Sequence, residues 1–349
     1  MANAKKINLA LQGGGAHGAF TWGVLDHLLT DARIEIEGIS GASAGAINAV
    51  MLADGLTRGG ATEARKRLAD VWRAVSVNGG LPRSERAVVE RLLSFLPYEG
   101  SPAQAWFNAW SQLWSPYELN PLNLNPLKNI VERFVDFKAL QSSNEPKLFV
   151  SATNVVTGRL RVFPREKITP EVIMASACLP MLFQAAEIDG VPYWDGGYMG
   201  NPAIFPFFGT TQTEDVLVVQ INPVERRDIP HTQSEILNRI NEITFNSSLI
   251  AEYRAIAFAT RLIDQGRLPR GMGKGEYRRI NVHRIALDSV VHGLIPTMTS
   301  SCCCATAAAA PRRNSSTRIS TISGCAAPLT CGPRRRPNGR ADPWRRNPG

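Results

Sequence analysis

The 349-residue chain lacks several features that mark other classes of protein. It has no run of about twenty apolar residues, so the sequence predicts no helix that spans a membrane. The apolar stretch after Lys6 ends within five residues, which is too short for the core of a secretory signal. Of the six cysteines only Cys178 precedes residue 300, so residues 1–299 have no internal disulfide framework. These absences favour a cytoplasmic protein, and we expect any membrane contact to be peripheral.

Positive charge is scarce outside the C-terminal end of the chain. The formal net charge is +9, but residues 300–349 hold nine arginines and one aspartate, a net of +8. Residues 1–299 are therefore nearly neutral and offer no broad basic surface of the kind that duplex binding requires, so we expect no nucleic-acid partner. No cluster of histidine, cysteine and carboxylate residues shows metal-ligand spacing either, and we expect neither a metal nor a cofactor.

The last fifty residues differ from the rest in composition. Residues 300–349 combine adjacent cysteines, alanine runs, arginines and many prolines without hydrophobic periodicity. Such a segment buries too little apolar area to offset chain entropy, so we expect a disordered tail after a folded domain at residues 1–299. Two origins stay open for the tail: a native basic arm that binds anionic lipid, or the product of a shifted reading frame.

Strand-like and helical patterns alternate along the folded domain. Strands are predicted at 6–11, 34–39, 147–153, 159–163, 216–222 and 278–285. Helices are predicted at 17–30, 44–55, 61–76, 84–95, 126–135, 170–177 and 232–264. This alternation predicts an α/β fold of three layers, in which a largely parallel central sheet has helices on both faces.

Two glycine-rich turns follow the first two predicted strands. The second, Gly41-Ala42-Ser43-Ala44-Gly45, has the G-x-S-x-G spacing that places a serine nucleophile on a sharp turn between a strand and a helix. Glycines are needed there because the turn is strained and its backbone packs closely. The helix N-terminus beneath the serine carries partial positive charge, which stabilises a developing oxyanion.

The first turn, Gln12-Gly13-Gly14-Gly15-Ala16-His17-Gly18, supplies candidate oxyanion donors, since three glycines leave their amides unshielded. Together the two turns predict a serine acyl hydrolase. Gly13, Gly15 and Gly18 also fit the dinucleotide fingerprint G-x-G-x-x-G, with Glu35 as the ribose-binding acid. We favour the hydrolase, because a serine elbow has no use in nicotinamide binding and Glu35 lies inside an alternating strand pattern.

A third turn, Asp195-Gly196-Gly197, follows the segment Ala175-Ser176-Ala177-Cys178-Leu179-Pro180. D-G-G alone is a common hairpin turn, but its glycines let the carboxylate approach another backbone closely. The chain thus shows a glycine triplet, G-x-S-x-G, A-S-x-x-x-P and D-G-G in that order, with a strand and turn at 153–158. The order resembles the patatin-like phospholipase family, in particular its bacterial members, over about residues 5–290.

The resemblance implies a patatin-like fold with a motif core at about 5–210 and a C-terminal extension at about 211–299. It implies that Ser43 is the nucleophile and Asp195 its partner in a two-residue dyad. It also implies that the oxyanion is held by the amides of Gly13, Gly14, Gly15 and Ala44. The residues expected to support these motifs are His17, Gly18, Gly41, Gly45, Gly196 and Gly197. His17 stands where the family commonly has arginine or lysine, so its charge would depend on pH.

The implied substrate is a lipid or another fatty acyl ester, and two alternatives stay open. A Ser-His-Asp triad in the α/β-hydrolase chain order needs a histidine after the acid, and His231, His283 and His292 qualify by position. None of them lies in a special turn, so we favour the dyad. The second alternative is a non-catalytic protein that binds a lipid or a nucleotide. Intact Ser43 and Asp195 argue against it, because binding requires neither.

Two further patterns bear on the site. Trp106, Trp110 and Trp114 share one helical face and form either an ordinary core stripe or a lipid-contacting wall of an acyl pocket. On the helix at 232–264, which opens with a T-x-x-E capping box, residues 246–248 are polar. They either line a pocket or face solvent, and we favour solvent. The sequence carries no signal for an oligomeric state.

Overall fold

The fold is described from a computed structural model, which covers residues 4–75, 115–120, 123, 125–226, 228–268 and 277–287. The predicted helix at 84–95, the three tryptophans, His292 and the tail at 300–349 lie outside the described residues. The part that the structure describes contains no helix with the length and hydropathy needed to cross a bilayer.

Eight strands form one sheet in the described part of the chain. They are β1 (Lys5–Leu11), β2 (Ile34–Gly41), β3 (Lys147–Asn154), β4 (Leu160–Pro164), β5 (Ala186–Ile188), β6 (Val191–Asp195), β7 (Asp215–Gln220) and β8 (Asn281–Ala286). The order is β5-β6-β3-β2-β1-β7-β8, with β4 paired to β3. The run from β3 to β8 is parallel, whereas β4, β5 and β6 pair antiparallel with their neighbours. The predicted α/β fold is confirmed, with a sheet that is mixed at one end.

Helices cover the sheet on both faces. The described helices are α1 (Gly18–Leu28), α2 (Ala44–Val75), α3 (Pro116–Leu119), α4 (Pro126–Phe134), α5 (Phe137–Ser142), α6 (Pro170–Ser176) and α7 (Gln233–Asp264). Short 3-10 turns lie at Gly15–His17, Arg165–Lys167, Gly196–Tyr198 and Phe205–Gly209. α2 is kinked at Gly59 and Gly60, where the sequence predicted a break between two helices. α7 begins at the predicted capping box, in which the Glu235 amide donates to Thr232 Oγ1 over 3.2 Å.

Two apolar cores lie on opposite sides of the sheet. Successive side chains of a strand point to opposite faces, so β1 contributes to both cores. Leu9 and Leu11 pack in the larger core with α1, α2, α4 and α6. Ala10 packs in the smaller core with Phe207 and with Leu249 of α7. This layering places the carboxyl ends of β1 and β2 between α2 on one side and α7 on the other.

The hairpin of β5 and β6 is absent from the elements predicted from sequence. β5 has only three residues, too few for a visible alternation, and β6 contains Pro192. The turn between them uses Asp189 and Gly190, both with positive φ, at 51° and 75°. β6 pairs antiparallel with β3 and ends at Asp195, so this unpredicted strand is the element that delivers the predicted acid.

Candidate active site

Ser43 lies on the turn between β2 and α2 and has a φ of 53°, in the left-handed region that non-glycine residues rarely adopt. The flanking glycines make this conformation possible. A Cβ added to Gly41 would lie 2.4 Å from the Gly45 carbonyl oxygen, and one added to Gly45 would lie 2.1 Å from the Leu11 carbonyl oxygen. The turn therefore has the predicted form of a nucleophile elbow, at the N-terminus of α2 and the carboxyl edge of the parallel strands.

The segment from Ala175 to Pro180 supports both halves of the site. Ser176, the last residue of α6, is fully buried, and its Oγ accepts a 3.0 Å hydrogen bond from the Ser43 amide. Two residues on, the Cys178 carbonyl accepts a 2.8 Å hydrogen bond from the Asp195 amide. One short stretch of backbone and side chain thus fixes the serine and the acid relative to each other.

Asp195 ends β6 and is fully buried. Its Oδ1 accepts a 2.7 Å hydrogen bond from the Gly197 amide, and its carbonyl accepts one of 2.8 Å from Thr153 Oγ1 on β3. A Cβ on Gly196 would lie 2.1 Å from the Ser151 carbonyl oxygen, so the turn rests directly on β3. Among the described residues, Asp195 Oδ2 has no hydrogen-bond partner of standard geometry.

The surroundings of Asp195 change its acidity. Burial raises the pKa of Asp195 to about 7, against opposing hydrogen bonds from the Gly197 amide and the Ser43 hydroxyl. A carboxylate whose pKa is near neutrality is a far better proton acceptor for a hydroxyl than an exposed aspartate with a pKa near 4. The structure thus brings Ser43 and Asp195 together in an arrangement suited to proton transfer.

The glycine turn lies against the elbow. A Cβ on Gly13 would lie 2.6 Å from Ser43 Cβ, so only glycine fits there. The Gly13 amide already donates a 2.7 Å hydrogen bond to Asn201 Oδ1. The amides of Gly14, Gly15 and Ala44 have no hydrogen-bond acceptor within the described ranges. Of the four predicted oxyanion donors, Gly13 thus has its amide engaged by Asn201 in this conformation.

His17 belongs to the glycine turn and ends its 3-10 segment. It is half-buried, and its amide donates to the Gly14 carbonyl over 3.3 Å. Burial lowers the pKa of His17, against smaller opposing contributions from the Gly14 backbone and Glu242. A lowered pKa favours the neutral ring at pH 7, so His17 lacks the fixed positive charge that arginine or lysine would have here.

The histidines considered for a triad have other partners. The exposed His231 donates its amide to Glu235 Oε2 at the start of α7. His283, on β8, forms a 2.6 Å hydrogen bond through Nε2 to Asp215 Oδ1. Asp215 begins β7 and so lies at the amino ends of the parallel strands, whereas Ser43 lies at their carboxyl ends. Neither of these two histidines is hydrogen-bonded to Ser43 or Asp195.

An apolar pocket opens beside Ser43. It encloses about 650 Å³ including its mouth. Its described lining consists of Gly15, Ser43, Ala44, Ile47, Val71, Trp72, Val75, Leu127, Ala177 and Leu179. The Trp72 ring is fixed by a 2.8 Å hydrogen bond from Nε1 to Asn48 Oδ1, and Asn48 in turn donates to the Gly18 carbonyl over 3.0 Å. Such a lining suits an acyl chain whose ester carbonyl lies at Ser43.

A buried polar network behind the glycine turn was missed by sequence reasoning. Gln12 Oε1 accepts 2.8 Å hydrogen bonds from the amides of Ile221 and Asn222, and Gln12 Nε2 donates to Asn246 Oδ1 over 2.9 Å. The expectation that residue 246 faces solvent is wrong, because Asn246 is only 3% exposed. Its neighbour Ser247 is exposed, as expected. Gln12 precedes the glycine triplet directly, which is the one sequence signal that pointed to this network.

The described residues contain no group of three or more histidine, cysteine or carboxylate side chains placed to hold a metal ion. The site as described consists of a serine, a buried carboxyl group, backbone amides and an apolar pocket.

A model of a family described as patatin-like phospholipase matches residues 9–208. No curated protein matches the chain. Among solved structures, VipD from Legionella pneumophila has 15% identity and a TM-score of 0.38, with 86% of this chain and 64% of that chain covered. The ExoU–SpcU complex of the Pseudomonas aeruginosa type III secretion system has 16% identity and a TM-score of 0.31, with 71% and 52% covered.

The chain spans less than two thirds of the length of either structure. The family match is the more informative finding, since it covers more than half of the 349 residues and includes the glycine triplet, the serine elbow and the D-G-G turn. This protein belongs to the patatin-like phospholipase family.

Proposed function

We propose that the protein is a serine-dependent lipid acyl hydrolase of the phospholipase A or esterase type, with Ser43 and Asp195 as a catalytic dyad. The observation that carries this proposal is the buried Asp195 carboxyl group beside the elbow serine, with its pKa raised to about 7. A carboxyl group buried without a basic partner costs stability, and a catalytic role accounts for its retention.

In the acylation step, Ser43 Oγ attacks the ester carbonyl carbon while Asp195 Oδ2 takes the hydroxyl proton. The carbonyl oxygen becomes an oxyanion, and the amides of Gly14, Gly15 and Ala44 donate to it above the N-terminus of α2. The tetrahedral intermediate collapses with cleavage of the bond to the alcohol oxygen. Asp195 returns its proton to that oxygen, so the alcohol leaves and an acyl ester of Ser43 remains.

Deacylation repeats the same steps with water as the nucleophile. Asp195 takes a proton from the water as its oxygen attacks the acyl-enzyme carbonyl, and the same amides hold the second oxyanion. Collapse of this intermediate breaks the bond to Ser43 Oγ, which recovers the proton from Asp195. A fatty acid is released and the enzyme returns to its starting state.

The apolar pocket supports a substrate with a fatty acyl chain. Its described side chains are aliphatic except for Trp72 and Ser43, so it offers no charged partner for a polar acyl group. Burial of each methylene group contributes about 0.8 kcal/mol to binding, so we expect the pocket to favour longer acyl chains over shorter ones. We propose that the acyl chain occupies this pocket.

The proposal is tested with p-nitrophenyl esters, a phospholipid and lysophospholipid panel, and a fluorophosphonate probe. Ser43→Ala is expected to abolish hydrolysis and labelling. Asp195→Asn should be nearly as damaging, and the double variant should be little worse than either, because groups that act as a unit are strongly non-additive. Ser247→Ala, which removes an exposed hydroxyl on α7, is the matched control and should retain full activity.

Two results contradict the proposal. Retention of most activity by folded Ser43→Ala protein would remove the nucleophile and with it the hydrolase assignment. A loss in His231→Ala, His283→Ala or His292→Ala as severe as that in Ser43→Ala, without unfolding, would replace the dyad by a triad.

A further inference from the structure

Asn201 is fully buried and lies six positions after Asp195 on the same segment of chain. Its side chain forms hydrogen bonds with both backbone groups of Gly13, the amide and the carbonyl. Oδ1 accepts a 2.7 Å hydrogen bond from the Gly13 amide, and Nδ2 donates to the Gly13 carbonyl over 3.2 Å. Nδ2 also donates to the Phe245 carbonyl of α7 over 3.1 Å.

These contacts define the orientation of the Asn201 amide group. Both Nδ2 hydrogens point at carbonyl oxygens and Oδ1 points at an amide, so a flipped side chain would lose all three bonds. Only an amide of this length supplies an acceptor and two donors at one point. An aspartate would keep the acceptor and lose both donors, and an alanine would lose everything.

Asn201 therefore connects three parts of the site. Its own backbone amide donates to Ser248 Oγ of α7 over 3.2 Å, which fixes the segment that starts at Asp195. Its side chain fixes Gly13, the residue that precedes the two unengaged amides of the glycine turn. Because Gly13 lies against Ser43 Cβ, a shift of this turn would move the oxyanion donors relative to the attacked carbonyl.

We propose that Asn201 is a positioning residue, which holds the Gly13–Gly15 turn in register with Asp195 and so places the Gly14 and Gly15 amides on the oxyanion. The inference rests on the proposed function. Asn222 supports the same residue from the other side, since its Nδ2 donates to the Gly13 carbonyl over 2.6 Å. Asn201 touches no reacting atom and acts through the turn.

The experiment compares Asn201→Ala, Asn201→Asp and Asn222→Ala with the unchanged protein on p-nitrophenyl butyrate. A displacement of about 1 Å at a catalytic group costs about 100-fold, so kcat of Asn201→Ala should fall by roughly that factor with KM within a few-fold. Asn201→Asp and Asn222→Ala each keep some of the hydrogen bonds to Gly13. Their kcat should therefore fall less, again with KM within a few-fold of that of the unchanged protein.

Inhibitor binding separates positioning from a purely structural role. An alkyl trifluoromethyl ketone adds to the serine and forms an oxyanion, so its affinity should fall by the same factor as kcat/KM. A fatty alcohol of equal chain length forms no oxyanion and should bind each variant equally. The control Asn8→Ala removes a buried amide in the middle of β1, whose Nδ2 donates to Thr211 Oγ1 over 2.9 Å. It should lower stability and leave kcat unchanged in the folded fraction.

The inference is wrong if Asn201→Ala loses activity only in proportion to its unfolded fraction, or if ketone affinity is unchanged while kcat falls. Where Asn201→Ala fails to fold, the inference is tested on Asn222→Ala, by its kcat and by its affinity for the trifluoromethyl ketone. Ser43→Ala, assayed in parallel, distinguishes a failure of the proposed function from a failure of the role proposed for Asn201. An active Ser43→Ala protein overturns the proposed function and this inference together, whereas an inactive one beside an unaffected Asn201→Ala overturns the inference alone.

Discussion

Asp195 and Gly197 are joined across the D-G-G turn by a hydrogen bond of 2.7 Å between Asp195 Oδ1 and the Gly197 amide. A Cβ on Gly197 would lie 2.9 Å from that oxygen, so the approach depends on glycine. The bond holds the carboxyl group by one oxygen, and Oδ2 has no partner of standard geometry in the described part of the chain. The turn thus orients the acid and keeps available the oxygen that we propose receives the Ser43 proton.

The first prediction concerns the pH dependence of the reaction. Only the ionised carboxylate accepts a proton, and the pKa of Asp195 is raised to about 7 by burial. We expect kcat/KM for p-nitrophenyl butyrate to fall about tenfold per pH unit below about pH 6 and to level off above about pH 8. Initial rates between pH 4.5 and 9, on protein shown by circular dichroism to be folded throughout, measure this. A midpoint near 4 contradicts it.

The second prediction concerns stability. The folded-state pKa of Asp195 is raised above the unfolded value of about 4, so the folded protein loses stability as pH rises from about 4 through 7. An asparagine side chain cannot ionise, so Asp195→Asn avoids this loss. The difference in Tm between Asp195→Asn and the unchanged protein should therefore grow in favour of the variant between pH 4.5 and 7 and stay constant above.

Thermal melts of both proteins in matched buffers check this, and taking their difference cancels the titration of all other groups. A difference that does not change with pH would mean that the carboxyl group is ordinary. Asp195→Asn would then be both inactive and no more stable at pH 8, contrary to the expected exchange of activity for stability.

The serine elbow and its supporting glycines were predictable from sequence because the backbone there tolerates few residue types. Gly45 packs so closely on β1 that a side chain cannot fit, and the same restriction produces a visible motif. β1, which precedes the glycine turn, is buried from Ile7 to Leu11 and reads as a mainly apolar run. The order of strands and helices followed from the same alternation.

The hydrogen bonds between the Asn201 side chain and Gly13 could not be predicted in the same way. Gly13 and Asn201 are separated by 188 positions, and an asparagine in a loop carries no local sign of its distant partner. β6 was missed because its five residues contain a proline and its pairing with β3 is non-local. Asn246 was misassigned because helical periodicity does not reveal which polar side chain of α7 finds a buried acceptor or donor in the glycine turn.

The third prediction tests the packing of the elbow. Gly45→Ala would place Cβ 2.1 Å from the Leu11 carbonyl oxygen, a rigid backbone atom of the central sheet. We expect it to lower the free energy of unfolding by about 3 kcal/mol and to remove activity, because the turn must shift. Gly209→Ala is the matched control, since no heavy atom lies within 4 Å of its added Cβ. Urea denaturation of the two variants should separate them; equal midpoints would refute the packing argument.

The fourth prediction tests the acyl pocket. Val75 ends α2 and belongs to the lining of the pocket. Val75→Phe adds volume there, so long acyl chains should lose contact while short ones are unaffected. Each methylene left in water costs about 0.8 kcal/mol, so displacement of two lowers kcat/KM roughly tenfold.

We therefore expect Val75→Phe to reduce kcat/KM for p-nitrophenyl decanoate about tenfold relative to p-nitrophenyl butyrate. The ratio of the two esters on one enzyme preparation cancels differences in active fraction. Val75→Ala, which enlarges the same place, is the opposing control and should leave the ratio unchanged or raise it. A Val75→Phe enzyme with an unchanged ratio would show that the acyl chain leaves Ser43 in another direction, since a pocket that holds the chain must register its loss of volume.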